Sequence, residues 1–165
     1  MKLIEIDKGV YVKVTDVLFV LNNLKTKTIK LLKENAKNSN ELTYFETKRK
    51  EKNSVVVLKN GDVFVVNYNI DTIVSKCTSF GVNMLDINDD YFVNIFYIKA
   101  LFELDSEKLS NRKKLGSATD VLQFVHQGEK RKSFIVLHNN VLIYLSKSSD
   151  EILKFADTFN NKMSN

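Results

Sequence analysis

The chain has 165 residues, 44% of them hydrophobic and 27% charged, which fits one ordinary domain or two small ones and excludes wholesale disorder. With no proline, no tryptophan and five scattered glycines, collagen-like, proline-rich and flexible-linker architectures are excluded as well. The formal net charge of +5 rests on 22 lysines and three arginines, and it lies wholly in the first half: residues 1–80 carry 14 basic and 9 acidic side chains, residues 81–165 carry 11 of each.

Taken in chain order, Leu3–Asp7 and Val10–Val14 read as a short hairpin turning at Lys8-Gly9. Val17–Leu21 is a continuous apolar run, as a buried strand requires. Thr26–Lys37 has helical spacing, with Ile29, Leu32 and Ala36 on one face. Leu42–Glu46 is a further strand. Val55–Leu58 and Val63–Val66, joined through Asn60-Gly61-Asp62, form the clearest hairpin. Asp71 is placed to cap a helix running through Cys77. The second half offers Met84–Asn88, Tyr91–Ile95, Ile98–Leu104, a helix from Ser106, Val121–Val125 and the hairpin Phe134–Leu137/Val141–Leu145. Asp150 then caps a helix towards Lys162. No apolar run approaches the roughly 18 residues that span a bilayer. The alternating opening residues form no secretory core, so the chain reads as cytoplasmic with no membrane partner.

The two halves share one grammar. Ser54–Asn60 recurs as Ser133–Asn139 and Asp71–Val74 as Asp150–Leu153, both 79 residues on, while Ile6–Val12 recurs as Ile87–Val93, 81 residues on. The expected fold class is therefore α+β, with two homologous small β-rich domains at residues 1–79 and 82–165. Each is a mainly antiparallel sheet with two helices, and the boundary falls near Thr78 to Asn83, around Gly81.

Nothing points to an enzyme, a cofactor or a metal. His126 and His138 have no cysteine or carboxylate at metal-ligand spacing, and Cys77, on the inner side of a short helix, reads as a buried thiol. Asp89-Asp90 reads as a hairpin turn. The strongest constellation is basic. Lys27, Lys30, Lys33 and Lys37 recur on consecutive helical turns opposite the apolar face. With Lys25, Lys48, Arg49, Lys50 and Lys52 they put nine positive charges between residues 23 and 52, against four negative. Lys108, Arg112, Lys113, Lys114, Lys130, Arg131 and Lys132 repeat the arrangement. Such ridges suit double-stranded DNA, whose phosphates release counterions when lysines approach; a solvated surface has the same composition.

The pattern Ile87-Asn88-Asp89-Asp90-Tyr91-Phe92-Val93, the strand Ile98–Phe102, a basic helix and Lys132-Ser133-Phe134-Ile135-Val136 before an Asp-led helix resemble the bacterial extracellular matrix regulator (RemA/RemB) family. Val10–Val17 and Asn53–Val57 carry the same likeness in the first half. The resemblance implies two fused family domains, self-association into a closed ring, and DNA binding that controls transcription of biofilm-matrix genes. It places Thr15 and Phe96 where the family has a DNA-binding arginine, and it keeps the second basic cluster as Lys48-Arg49-Lys50 with Lys52, and as Lys130-Arg131-Lys132. A non-enzymatic oligomerisation protein of the same fold, without DNA binding, is the alternative expectation.

Overall fold

The computed structural model describes residues 1–23, 27–87, 90–104, 121–123, 130–138 and 141–162. The fold is mixed α+β with mostly antiparallel sheets. Two compact units divide the chain, residues 1–94 and residues 95–165.

Unit 1 opens with a hairpin of β1 (Leu3–Asp7) and β2 (Val10–Lys13), which form a two-stranded sheet of their own. The expected turn at Lys8-Gly9 is present. Gly9 takes φ +75°, a backbone that side-chain-bearing residues rarely adopt. A single 3-10 turn, Val14–Asp16, leads into β3 (Val17–Asn22). Helix α1 (Lys27–Asn38) follows, then β4 (Tyr44–Glu46), β5 (Ser54–Leu58), β6 (Val63–Val66) and helix α2 (Ile70–Ser79). The strands β7 (Met84–Asp86) and β8 (Tyr91–Asn94) close the unit. Its sheet runs β4-β6-β5-β3-β8-β7. β4 is parallel to β6, and every other pairing in the sheet is antiparallel.

Val55, Val56 and Val57 are all buried, so β5 is covered on both faces and reads as an unbroken apolar run rather than an alternating one. On one side the β1–β2 hairpin and α2 converge: Ile4, Ile6, Val12, Val14, Ile70, Ile73 and Cys77 pack with Val17, Val20, Val56 and Val66. α1 lies against β4 and β6 and buries Ile29 and Ala36, as its spacing predicts. Gly61, at φ +98°, makes the tight β5–β6 turn, and Asn60 Oδ1 accepts from the Asp62 N–H at 3.2 Å.

Unit 2 contains β9 (Ile98–Glu103), β10 (Val121–Gln123), β11 (Ser133–Leu137), β12 (Leu142–Leu145) and helix α3 (Ser149–Lys162). Its sheet runs β10-β12-β11-β9, with β10 parallel to β12. Phe134 stacks on Phe102 at 4.7 Å between ring centroids, and Leu142 and Tyr144 join them in a small core. The helix expected from Ser106, and residues 124–125 of the expected Val121–Val125 strand, lie outside the described residues.

Pairing in the two sheets follows the spacing of the sequence repeats. Val17 pairs Leu58 and Ile98 pairs Leu137; Asn22 pairs Ser54 and Glu103 pairs Ser133. Ser54 pairs Val66 as Ser133 pairs Leu145, and Tyr44 pairs Val63 in parallel as Val121 pairs Leu142. The register irregularity between Val17 and Phe19 has its counterpart between Val136 and Leu137.

Three expectations change. The packing boundary follows Asn94, beyond the sequence boundary near Thr78–Asn83, because β8 pairs along β3 and draws the β7–β8 hairpin into the first sheet. Helix α2 is capped by Asn69, whose side chain accepts from the Thr72 N–H at 2.9 Å; Asp71 lies inside the first turn, near the helix's positive end. At α3, Ser148 and Glu151 bond reciprocally, the Ser148 N–H to Glu151 Oε2 at 2.7 Å and the Glu151 N–H to Ser148 Oγ at 3.3 Å. That is a capping box, and Asp150 again sits within the first turn.

Candidate nucleic-acid interface

The expected ridge resolves into side chains that are spoken for and side chains that are not. Lys33 lies four residues after buried Ile29, which turns it towards the sheet. It is half-buried and donates to Asn23 Oδ1 at 2.6 Å. Burial lowers its pKa, opposed by nearby Glu46 and assisted by Lys37 and Lys52. Alternation along β4 brings Tyr44 and Glu46 to one face. Lys37 covers the Tyr44 ring at 4.7 Å and pairs with Glu46 at 3.9 Å. Lys52 donates to Glu46 Oε1, and the Tyr44 hydroxyl donates to Oε2 at 2.6 Å.

These contacts hold the Glu46 carboxyl at about 2, below its ordinary 4.5. The Lys52 hydrogen bond contributes most and the Tyr44 hydroxyl next, while burial opposes them. The Tyr44 phenol is pushed up by burial and by the same carboxylate. Three lysines of the expected ridge thus surround one acid, which offsets part of their charge.

Arg49 also departs from expectation. Although exposed, its guanidinium is engaged, with Nη1 donating to Asn67 Oδ1 at 3.0 Å and Nε lying 3.9 Å from buried Asp7. Burial pushes the Asp7 carboxyl up. The Lys8 N–H, the Thr47 side chain, the Asn67 N–H and Arg49 outweigh it and hold the pKa below the ordinary value. Arg49 therefore serves a buried carboxylate, 42 positions away in sequence.

What remains facing outward is smaller. Lys48 and Lys50 are exposed in the loop between β4 and β5 and make no ion pair among the described residues. Lys30 is exposed and pairs loosely with Glu34 at 3.8 Å, one helical turn on. In unit 2, Lys130, Arg131 and Lys132 are exposed, with Arg131 lying 4.7 Å over the Tyr144 ring. Lys25, Arg112, Lys113 and Lys114 lie outside the described residues, and Lys27 opens α1.

The backbone places the ends of the two basic segments, Lys52-Asn53 and Arg131-Lys132, at equivalent points. The Asn53 N–H donates to Val66 O and the Lys132 N–H to Leu145 O, both at 2.9 Å. Asn23 donates to Asn53 O as Leu104 donates to Lys132 O. Lys52 thereby corresponds to Arg131, and Asn53 to Lys132. The residues Asn23, Tyr44 and Glu46 were not singled out by sequence reasoning. The alternation of Tyr44-Phe45-Glu46 beside a lysine-rich helix was the available signal.

Of the residues considered for catalysis, Cys77 is buried, which pushes its thiol up to about 12. His138 is exposed at the end of β11, and its N–H donates to Tyr97 O at 2.9 Å. His126 and Asp89 lie outside the described residues, while Asp90 O and Oδ1 accept from the Asn22 N–H and Nδ2, both at 2.8 Å. Among the described residues there is no group of three or more His, Cys, Asp or Glu that could hold a metal ion, and no helix long and apolar enough to cross a membrane. No protein-family model matches the chain, and no curated protein matches it in sequence.

Proposed function

We propose that the chain is a non-enzymatic DNA-binding regulator of the extracellular matrix regulator type, built from two tandem copies of one domain, and that it contacts duplex phosphates through exposed lysines. The observation that carries this reading is the pair of uncommitted cations, Lys48 and Lys50, in the loop leading to β5, together with exposed Lys130, Arg131 and Lys132 in the segment leading to β11. Lysine binds phosphate as a point charge, and the only arginine of the first cluster is engaged with Asp7. This chemistry favours backbone contact over base readout, for which bidentate arginine is the usual tool.

An electrophoretic shift series across salt and DNA sequence tests it. Wild-type protein should shift duplex DNA at low salt, with weak sequence preference, and release it as salt rises. The quadruple change Lys48→Ala, Lys50→Ala, Lys130→Ala, Lys132→Ala should abolish the shift while the far-ultraviolet circular dichroism stays unchanged. A second reading, an oligomerisation protein of the same fold without DNA binding, is favoured by the internal engagement of Lys33, Lys37, Arg49 and Lys52. Wild-type protein that ignores DNA even at low salt would overturn the first reading and favour the second.

A further inference from the structure

The loop between β4 and β5 exposes Lys48 and Lys50, while the residues alternating with them are tied to the fold. The Thr47 N–H donates to Val65 O at 2.9 Å, and the Thr47 side chain bonds to Asp7. Arg49 donates to Asn67 Oδ1 at 3.0 Å and lies 3.9 Å from Asp7. Glu51 O accepts from Asn67 Nδ2 at 3.1 Å, and the Asn53 side chain donates to Asn67 O at 2.6 Å. The Asn67 N–H completes the set by donating to Asp7 Oδ2 at 3.2 Å.

Asn67 thus engages all four of its polar groups, N–H, C=O, Oδ1 and Nδ2, with Asp7 and with one loop. Asp7 is buried and is fixed in turn by the Lys8 N–H at 2.8 Å, so the anchor belongs to the β1–β2 hairpin. At the repeat spacing of 79 residues, Gly128 and Ser146 stand where unit 1 has Arg49 and Asn67. The second repeat therefore lacks both of these partners.

A loose loop loses conformational freedom when it meets a ligand, and a loop already held avoids much of that cost. We propose that Asp7 and Asn67 are positioning residues for phosphate binding, which preform the β4–β5 loop so that Lys48 and Lys50 meet the duplex backbone together. This rests on the phosphate-binding reading of those two lysines. Neither Asp7 nor Asn67 meets DNA itself; both act through the loop.

Duplex binding across salt, joined to limited trypsin digestion of the DNA-free protein, tests it on Asn67→Ala, the milder Asn67→Ser, and Asp7→Asn. Asn67→Ala leaves the net charge unchanged and should weaken binding about fivefold, since only a fraction of molecules then hold the loop as DNA requires. The slope of log binding constant against log salt should stay at the wild-type value, because Lys48 and Lys50 still reach their phosphates. Asn67→Ser should fall between the two. Asp7→Asn tests the sign. Removing a negative charge near the lysines should tighten DNA binding by electrostatics alone, whereas releasing Arg49 and its loop should weaken it. Tryptic cleavage after Lys48 and Lys50 should speed up in Asn67→Ala by at least the factor lost in affinity, because cleavage follows the open population. Circular dichroism establishes that each variant is folded; should Asp7→Asn not fold, the two Asn67 variants decide. Wild-type affinity in Asn67→Ala, tighter binding by folded Asp7→Asn, or unchanged cleavage would each overturn the proposal, even with a lowered melting temperature. Wild-type protein that does not bind DNA would overturn the phosphate-binding reading together with this one. Unchanged cleavage in a variant, with wild-type DNA binding intact, would remove the positioning role alone.

Discussion

Ser54 and Ser133 occupy equivalent buried positions, yet their hydroxyls differ. Ser133 Oγ donates to Lys147 O at 2.7 Å, whereas Ser54 Oγ has no partner among the described residues. Ser133→Ala should therefore cost about 1 kcal/mol, and Ser54→Ala should be neutral or slightly stabilising, because it removes a desolvated hydroxyl that gains nothing in return. Urea denaturation of the two variants checks the difference. Glu46 gives a pH prediction. Its folded pKa is depressed, so the stability it contributes is fully present above its ordinary 4.5 and is lost as pH falls towards about 2. Acid unfolding of Glu46→Gln should lack that component, so the stability gap between wild type and variant should close across this window. A gap that stays constant from neutral pH down to pH 2 would contradict the engagement of Lys52 with Glu46.

At the scale of elements, Asn69→Ala should lower the stability of unit 1 by about 1 kcal/mol, while Asp71→Ala should cost less, since Asn69 satisfies the Thr72 N–H and Asp71 contributes only through charge in the first turn. Thermal melts of the two variants measure this. Most strands were legible because each is a local apolar pattern bounded by turn chemistry, and Lys8-Gly9 and Asn60-Gly61-Asp62 turn where those residues predict. The 3-10 turns Val14–Asp16 and Ile95–Tyr97 carry no such local signature. The caps were misplaced because Asn69 and Asp71 are both good capping residues, and only the helix start distinguishes them. The parallel pairing of β4 with β6 and the docking of β8 on β3 were illegible, because both depend on partners distant in sequence. Much of the candidate site was hidden for the same reason. Helical spacing finds a lysine ridge but does not show that Lys33 reaches Asn23 or that Arg49 reaches Asp7 across the fold.

At the scale of the whole molecule, the distinction between engaged and outward cations matters more than their number. Arg49→Ala removes the Asn67 hydrogen bond and the nearest counter-charge of Asp7, so it should reduce stability by about 1 kcal/mol. Lys48→Ala and Lys50→Ala should leave stability unchanged, because both side chains are exposed and make no ion pair among the described residues. The measurement that bears most directly on phosphate binding is the slope of log binding constant against log salt for duplex DNA, compared between wild type and the Lys48→Ala, Lys50→Ala double variant. If both lysines meet phosphates, the slope should flatten by about 1.8, or about 0.9 for each phosphate left without its lysine, with no change in melting temperature. A slope that does not change, or wild-type protein that shows no DNA binding at low salt, would contradict it.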